Sequence, residues 1–414
     1  MMPELRAALQ QHFGHQDFRE GQRAVVERML VGQSTLAVMP TGGGKSLTYQ
    51  LPAVLLDGVA LVISPLIALM QDQMRAAQTH GLRAACLTSA EDNRAEVIRR
   101  LQAGALDLLY VAPERAARED FAALLASVKI CLFAIDEAHC VSEWGHDFRP
   151  DYRCLRPLLD AHPAPVLALT ATADNYTRED ILTHFALPPD GMLLSDFDRP
   201  NIHYAIRQRR HWQAQVADVL REQRGAGIIY APTRRQVEQV AQALQNCGRR
   251  ILAYHAGMGA EQRQASQRAF YASSNAVMVA TIAFGMGVDK GDVRFIIHLG
   301  LPRSIEAYYQ ETGRAGRDGA PALALMLWSA KERKASRARI AQASGPRAGV
   351  DRLRWAAMER LIGTWGCRRA HLRRYFGEVP PLTCGNCDNC AQARWLVAVV
   401  EWAMGLGRKL TRKA

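Results

Sequence analysis

The sequence predicts an α/β protein with two parallel sheets in tandem, closed by a small helical metal-binding module. Three observations carry this reading: two series of short, continuously apolar runs, their disappearance after about residue 330, and a cluster of cysteines near the C-terminus. Runs that are apolar at every position belong to strands buried on both faces, as in a parallel sheet covered by helices. A chain of 414 residues also exceeds what one hydrophobic core ordinarily holds.

The first series comprises STLAVM (34–39), VALVIS (59–64), LDLLYV (106–111), ICLFAI (130–135) and PVLALT (165–170). The second comprises GIIYA (227–231), RILAYH (250–255), AVMVAT (276–281), RFIIHL (294–299) and ALALML (322–327). Helical patterns separate the runs, and FDRPNIHYAI (197–206), with Pro200 and polar flanks, reads as the join. Past residue 330, two Arg-rich amphipathic helical stretches separated by GPRAGVD (345–351) precede the cysteines. The expected domains are therefore 1–200, 201–330, a basic helical module over 331–392 and a basic tail over 393–414.

Composition sets the class. With 49% hydrophobic and 22% charged residues, the chain reads as a soluble globular protein. The late apolar run WLVAVV (395–400) is far shorter than the roughly 18 residues that suggest a membrane span. MMPELRAALQQHFG has no apolar segment followed by a small-residue cleavage site, so the expectation is a cytoplasmic protein that does not engage a membrane. The net charge of +12 resides in residues 331–414, which hold 18 Lys or Arg against 6 Asp or Glu, and such a segment suits a polyanion.

MPTGGGKSLTYQ (39–50) follows the first apolar run and opens a helical pattern. In a strand–loop–helix, the backbone amides around Gly42, Gly43 and Gly44 wrap a phosphate chain, Lys45 neutralises it and the Ser46 hydroxyl reaches Mg²⁺. ICLFAIDEAH places Asp136 and Glu137 at the end of a buried strand. In nucleoside triphosphate hydrolysis, Asp136 would hold Mg²⁺ and Glu137 would orient and deprotonate the attacking water, while His139 would couple the site to the second sheet. FREGQ (18–22) lies ahead of the phosphate loop and is read as preceding the first helix. The amide of Gln22 suits both a donor and an acceptor on an adenine edge, with Arg19 beside it. In YYQETGRAGRDG (308–319), Gln310, Arg314 and Arg317 are read at a helix start, presenting cations that stabilise charge on a transferring phosphoryl group.

Cys367, Cys384, Cys387 and Cys390 supply four thiolates, enough for a closed tetrahedral Zn²⁺ site. An iron–sulfur cluster is the alternative for the same spacing. The other five cysteines are scattered and read as free thiols.

FREGQ, MPTGGGKS, SPLIALMQDQ (64–73), DEAHCVSEWGHDFR, LTATA (169–173), FDRPNI, AFGMGVDK (283–290), YYQETGRAGRDG and the cysteine cluster occur in an order that resembles the RecQ family of superfamily 2 DNA helicases. The resemblance covers about residues 5 to 392 and implies two RecA-like domains, a zinc-binding module and ATP-dependent, Mg²⁺-dependent 3′-to-5′ translocation on single-stranded DNA. It implies that Thr41 through Ser46 bind phosphates, that Arg314 and Arg317 sense the γ-phosphate from the second domain, and that Asp289 lies near the ribose. SPLIALMQDQ and LTATA correspond to segments that touch the DNA backbone or relay its presence. Trp144, His146, Phe148 and Arg149 resemble the family's aromatic-rich loop, which couples DNA to hydrolysis; Glu143 stands where many relatives carry Gln.

The expected partners are single-stranded DNA and 3′-tailed or branched duplex DNA, with single-strand-binding or repair proteins beside them, and the expected state is a monomer acting in repair and recombination. Full-length relatives continue into a winged-helix and a small helical domain, whereas this sequence stops 24 residues after Cys390, so a short form is expected. The tail is read as an amphipathic helix with a basic end. A translocase that remodels DNA with little unwinding, a non-hydrolysing DNA-binding scaffold and an RNA helicase are the competing readings.

Overall fold

The computed structural model describes residues 2–88, 93–143, 148–285, 290–345 and 347–393, and the chain divides into two units, Met1–Phe197 and Asp198–Ala414. The first unit is built on β1 (Thr35–Val38), β2 (Val59–Ile63), β3 (Ala84–Leu87), β4 (Leu108–Val111), β5 (Ile130–Ile135), β6 (Val166–Thr170) and β7 (Met192–Leu194). Among the described residues these form one parallel sheet in the order β3-β4-β2-β5-β6-β1-β7. Helices Met2–Phe13, Gln22–Leu30 and Leu47–Leu55 send Leu9, Val26, Met29 and Leu51 into a core shared with Ala37, Val62 and Leu167.

The second unit has β8 (Ile202–Gln208), β9 (Ala226–Tyr230), β10 (Ile251–Tyr254), β11 (Val277–Ala280), β12 (Val293–His298) and β13 (Ala322–Trp328), parallel in the order β10-β11-β9-β12-β13-β8. Successive residues of a strand point to opposite faces. Ile229, Val279 and Ile297 therefore pack with Val216 and Val237 of helices Trp212–Glu222 and Arg234–Ala243, while Ile228, Met278 and Ile296 pack with Phe270 of helix Ala260–Tyr271. Burial on both faces is why these strands read as unbroken apolar runs.

Several expectations change. The segment read as a join contains β8, whose IHYAIRQ pattern forms the edge of the second sheet. Its polar residues are tolerated because Arg207 and Gln208 lie exposed at that edge. FREGQ does not precede the first helix: Met2–Phe13 comes before it, and Gln22 begins the second. Three helices, Ala330–Gln342, Ala348–Gly363 and Arg368–Tyr375, follow β13 instead of two stretches. Ala330–Gln342 is not amphipathic in its packing, having no buried residue; a Ser329 side-chain cap, accepting from Glu332 N at 3.2 Å, fixes its start. The tail beyond Ala393 lies outside the described residues.

Candidate active site and metal centre

The carboxyl ends of parallel strands leave unpaired loops where helix N-termini converge, which is where open α/β sheets bind ligands. In the first unit β1 leads into the glycine loop, β5 into Asp136 and Glu137, and β6 into LTATA. Gly42 and Gly44 take left-handed conformations, φ 84° and 73°. A Cβ on Gly44 would lie 2.3 Å from Gln22 Nε2, so the loop needs glycine there for space as well as for conformation.

The upstream segment clasps this loop. Gln22 Nε2 donates to the carbonyls of Gly43 (3.1 Å) and Gly44 (2.9 Å), its Oε1 accepts from Arg19 N at 2.8 Å, and Arg19 Nη1 donates to Gly42 O at 2.6 Å. Both ends of the Gln22 amide are thus engaged within the protein. Lys45 Nζ lies 3.4 Å from Met39 O, and Ser46 Oγ donates to Gln73 Oε1 at 2.6 Å. Gln73, in SPLIALMQDQ, joins that segment directly to the phosphate loop.

Asp136 is held by Glu137 N, which donates to its Oδ1 at 3.0 Å, and by Ser64 Oγ, 3.4 Å from its Oδ2. Burial, then the neighbouring Glu137, push its pKa up to about 7, and the Lys45 cation opposes them. Glu137 has a left-handed backbone (φ 49°), a conformation that costs a non-glycine residue about 1 to 2 kcal/mol. Its Oε2 is buried 3.3 Å from His139 Nδ1 and accepts no hydrogen bond among the described residues. Strain combined with an unsatisfied carboxylate oxygen marks a group shaped for a reacting molecule. A hard cation prefers oxygen donors, and the carboxylate of Asp136 with the hydroxyl of Ser46 provides them. The described hydrogen bond of His139 runs to Thr170 Oγ1 (3.0 Å), in the LTATA segment of the same unit.

The loop after the acid pair is described at its two ends. Trp144 and His146 lie outside the described residues, as does Asp289. Arg149 Nη1 donates to Pro65 O at 2.9 Å, and the Arg153 guanidinium lies 5.4 Å from the Phe148 ring centroid. Arg153 also pairs with Glu143 at 2.5 Å, which neutralises the acidic charge at that position.

In the second unit, Gln310, Arg314 and Arg317 are at a helix end, not a helix start. The helix Ile305–Thr312 opens on Ser304, whose hydroxyl accepts from Ala307 N at 3.2 Å. It stops before Gly313, and Gly316 takes φ 55°. Gln310 therefore occupies the last turn, while buried Arg314 and half-buried Arg317 follow it. Arg314 hydrogen-bonds Tyr230, whose hydroxyl is pushed up to about 12 by burial against the lowering influence of that cation. Beneath the loop, His298 Nε2 and Glu311 Oε2 meet at 2.7 Å.

The Sγ atoms of Cys367, Cys384, Cys387 and Cys390 lie within 4.8 Å of one another, and Cys384 and Cys390 are 3.9 Å apart. Tetrahedral zinc with Zn–S bonds of about 2.3 Å requires S–S separations of about 3.8 Å, so the donor set fits. Burial raises the thiols of Cys384 and Cys387, whereas hydrogen bonds involving Cys384 and Cys387 lower that of Cys390 against its own burial. The cluster is joined to the edge strand: Cys387 bridges Tyr204 of β8, and Asp388 Oδ2 accepts from Ile206 N at 2.8 Å.

Residues 19–181 match the DEAD/DEAH box helicase family, 212–319 the helicase conserved C-terminal domain, and 331–391 the RecQ zinc-binding family. The ATP-dependent DNA helicase RecQ of Bacillus subtilis is 36% identical over 401 residues, covering 95% of this chain and 68% of that protein. The chain belongs to the RecQ family. The RecQ helicase of Pasteurella multocida is 44% identical over 383 residues, 91% of this chain but only 61% of that protein, so the chain spans about three fifths of this relative's length. A DNA-bound DUF1998 helicase, MrfA, shares the fold with TM-score 0.66 and 21% identity, over 81% of this chain and 52% of that one. Family membership fits the Cys₄ set to zinc rather than to an iron–sulfur cluster. Sequence reasoning did not single out Ser64, Gln73, Tyr152 or Thr170. They lie in or beside motifs, but only the folded chain shows Tyr152 OH donating to Asp136 O at 2.8 Å, or the Ser64, Gln73 and Thr170 hydroxyl and amide contacts.

Proposed function

We propose that this chain is an ATP-driven DNA motor that moves 3′-to-5′ on single-stranded DNA and separates duplexes during repair or recombination. The observation that carries the proposal is the half-buried Asp136–Glu137 pair at the same carboxyl end of the sheet as the glycine loop with Lys45, where desolvation and then the neighbouring Glu137 raise the pKa of Asp136. Thr41 through Ser46 would receive the phosphates on backbone amides and on the Lys45 ammonium. Asp136 and Ser46 would hold Mg²⁺, which supplies charge neutralisation to the phosphates. Glu137 would take the proton of the attacking water at its unsatisfied Oε2, with His139 orienting the carboxylate. Arg19 and Gln22 would exchange their hold on the loop for the base, and Asp289 would approach the ribose. Arg314 and Arg317, with Gln310 beside them, would stabilise the charge that develops on the γ-phosphoryl group.

Single-stranded DNA would be read by Trp144 and Phe148, whose rings offer faces for bases, with His146 and Arg149 relaying its presence. Arg149 supports that role through its bond to Pro65, next to Ser64, which itself touches Asp136. The four cysteines would hold structural zinc. Residues 1–197 and 198–330 would act as the two motor domains, and 331–392 as the basic zinc module.

Steady-state ATP hydrolysis with and without single-stranded DNA tests the motor. DNA should raise the rate several-fold. Lys45→Ala should lower it by about two orders of magnitude or more, while DNA binding persists. A wild-type rate that DNA leaves unchanged contradicts the proposal.

A further inference from the structure

We infer that Arg199 is a positioning residue for the loop that carries Arg314 and Arg317, and that Asp198 ties it to the helix at the cysteine cluster. The inference rests on the proposed function for its catalytic consequence, although the geometry behind it lies wholly within the second unit.

A helix end leaves its last carbonyls without intrahelical partners, and the turns from Gly313 to Ala320 leave more. Arg199 takes three of them. Its Nη1 donates to Gly313 O at 2.9 Å, and its Nη2 donates to Ala315 O at 2.8 Å and Gly316 O at 3.1 Å. Asn201 Nδ2 adds bonds to Gly316 O (2.8 Å) and Ala320 O (2.9 Å). The carbonyls on either side of Arg314, and the one before Arg317, are thereby fixed from β8's leading edge. The fit is close: a Cβ on Gly316 would lie 2.4 Å from Asn201 Nδ2 and 2.7 Å from Ala320 O. A planar guanidinium splays its donors to reach separate carbonyls, which a lysine ammonium on a flexible stem cannot reproduce.

Asp198 faces the other way. Its Oδ1 lies 3.0 Å from Arg369 Nε and its Oδ2 3.0 Å from Arg373 Nη1. These arginines stand one turn apart on helix Arg368–Tyr375, which Cys367 caps: Ala370 N donates to its Sγ at 3.4 Å. Side chains in these pairs are only 12% to 20% exposed, so water screens them less than surface pairs. Two consecutive residues thus connect the cysteine module on one side to the arginine loop on the other. The helix capped by Cys367 is in this way joined to the loop whose cations are proposed to act on phosphate.

The test combines hydrogen exchange with kinetics on the full chain, using Arg199→Ala, Arg199→Lys and Asp198→Asn. In the nucleotide-free protein, the amides of Gly316 and Asp318, bonded to Val293 O and Gly291 O, report the loop. Arg199→Ala should speed their exchange about tenfold or more while β9 and β12 keep wild-type protection. Arg199→Lys should fall between, and Asp198→Asn should show the same pattern more weakly. In ATP hydrolysis, kcat should fall about tenfold or more with KM for ATP within about threefold, because the phosphate loop is untouched. Zinc content should not change. Wild-type exchange and kcat in Arg199→Ala overturn the inference, as does faster exchange spread evenly over the second sheet. Should Arg199→Ala fail to fold, the same two results from Arg199→Lys and Asp198→Asn decide it. Should wild-type protein hydrolyse no ATP, the proposed function fails and the exchange measurement alone decides the inference.

Discussion

Asp136 is a carboxylate held in a setting that disfavours its charge. Its pKa near 7 comes first from burial and then from Glu137, with Lys45 pulling the other way. In the unfolded chain the same group ionises near its ordinary value of about 4. The folded protein therefore gains from the protonated form, a contribution fully present below about pH 4 and lost as pH rises through about 7. Without divalent cation, Asp136→Asn should be more stable than wild type at pH 8 by about 1 to 3 kcal/mol, with the difference vanishing towards pH 4; urea melts at both pH values check this. Were Asp136 to hold Mg²⁺ as proposed, the ion would displace that proton, and its affinity for the wild type should fall up to tenfold for each pH unit below about 7. Calorimetric titration across that range reads it directly.

At the scale of elements, the glycine loop is a fitted part. Gly44→Ala places a methyl against Gln22 Nε2 and strains a left-handed residue, so nucleotide affinity should drop about tenfold with the sheet intact. Fluorescent-nucleotide titration measures the drop, and circular dichroism confirms the fold. The loop, the acid pair and the four cysteines are legible in the sequence because each depends on residues close together along the chain, on strand ends and fixed spacings. β8 is not, because an edge strand needs less apolar surface and Pro200 with Asn201 imitates a connection. The end of helix Ile305–Thr312 reads as a start when only the spacing of Gln310, Arg314 and Arg317 is weighed; the Ser304 cap and the glycines that follow the helix give the true direction. Arg199 is invisible in the sequence as a positioning residue because its partners lie more than a hundred residues away, reached only when β8 pairs with β13.

Across the whole molecule, charge and fold divide the labour. Residues 331–414 carry the net +12 while the sheets that hold the proposed nucleotide groups are balanced overall. DNA binding should therefore weaken steeply with salt, log K falling linearly with log salt as counterions are released. Charge reversal at Lys331 and Lys334, on the helix that buries nothing, should make that slope shallower by up to about one unit for each phosphate no longer neutralised, as fluorescence anisotropy over a salt series would show. The two sheets and the cysteine module are readable at this scale because apolar runs and metal-ligand spacing are properties of the chain. What the basic module is fastened to becomes visible only through the Cys387–Tyr204 bridge and the hydrogen bond from β8 to Asp388.

The central claim is that hydrolysis in this fold drives directional movement on DNA, and strand displacement measured in parallel on 3′-tailed and 5′-tailed duplexes with ATP and Mg²⁺ tests it most directly. The account predicts displacement of the 3′-tailed duplex, dependent on Lys45 and Glu137, with little from the 5′-tailed one. Equal displacement of both, or displacement that survives Lys45→Ala, contradicts it.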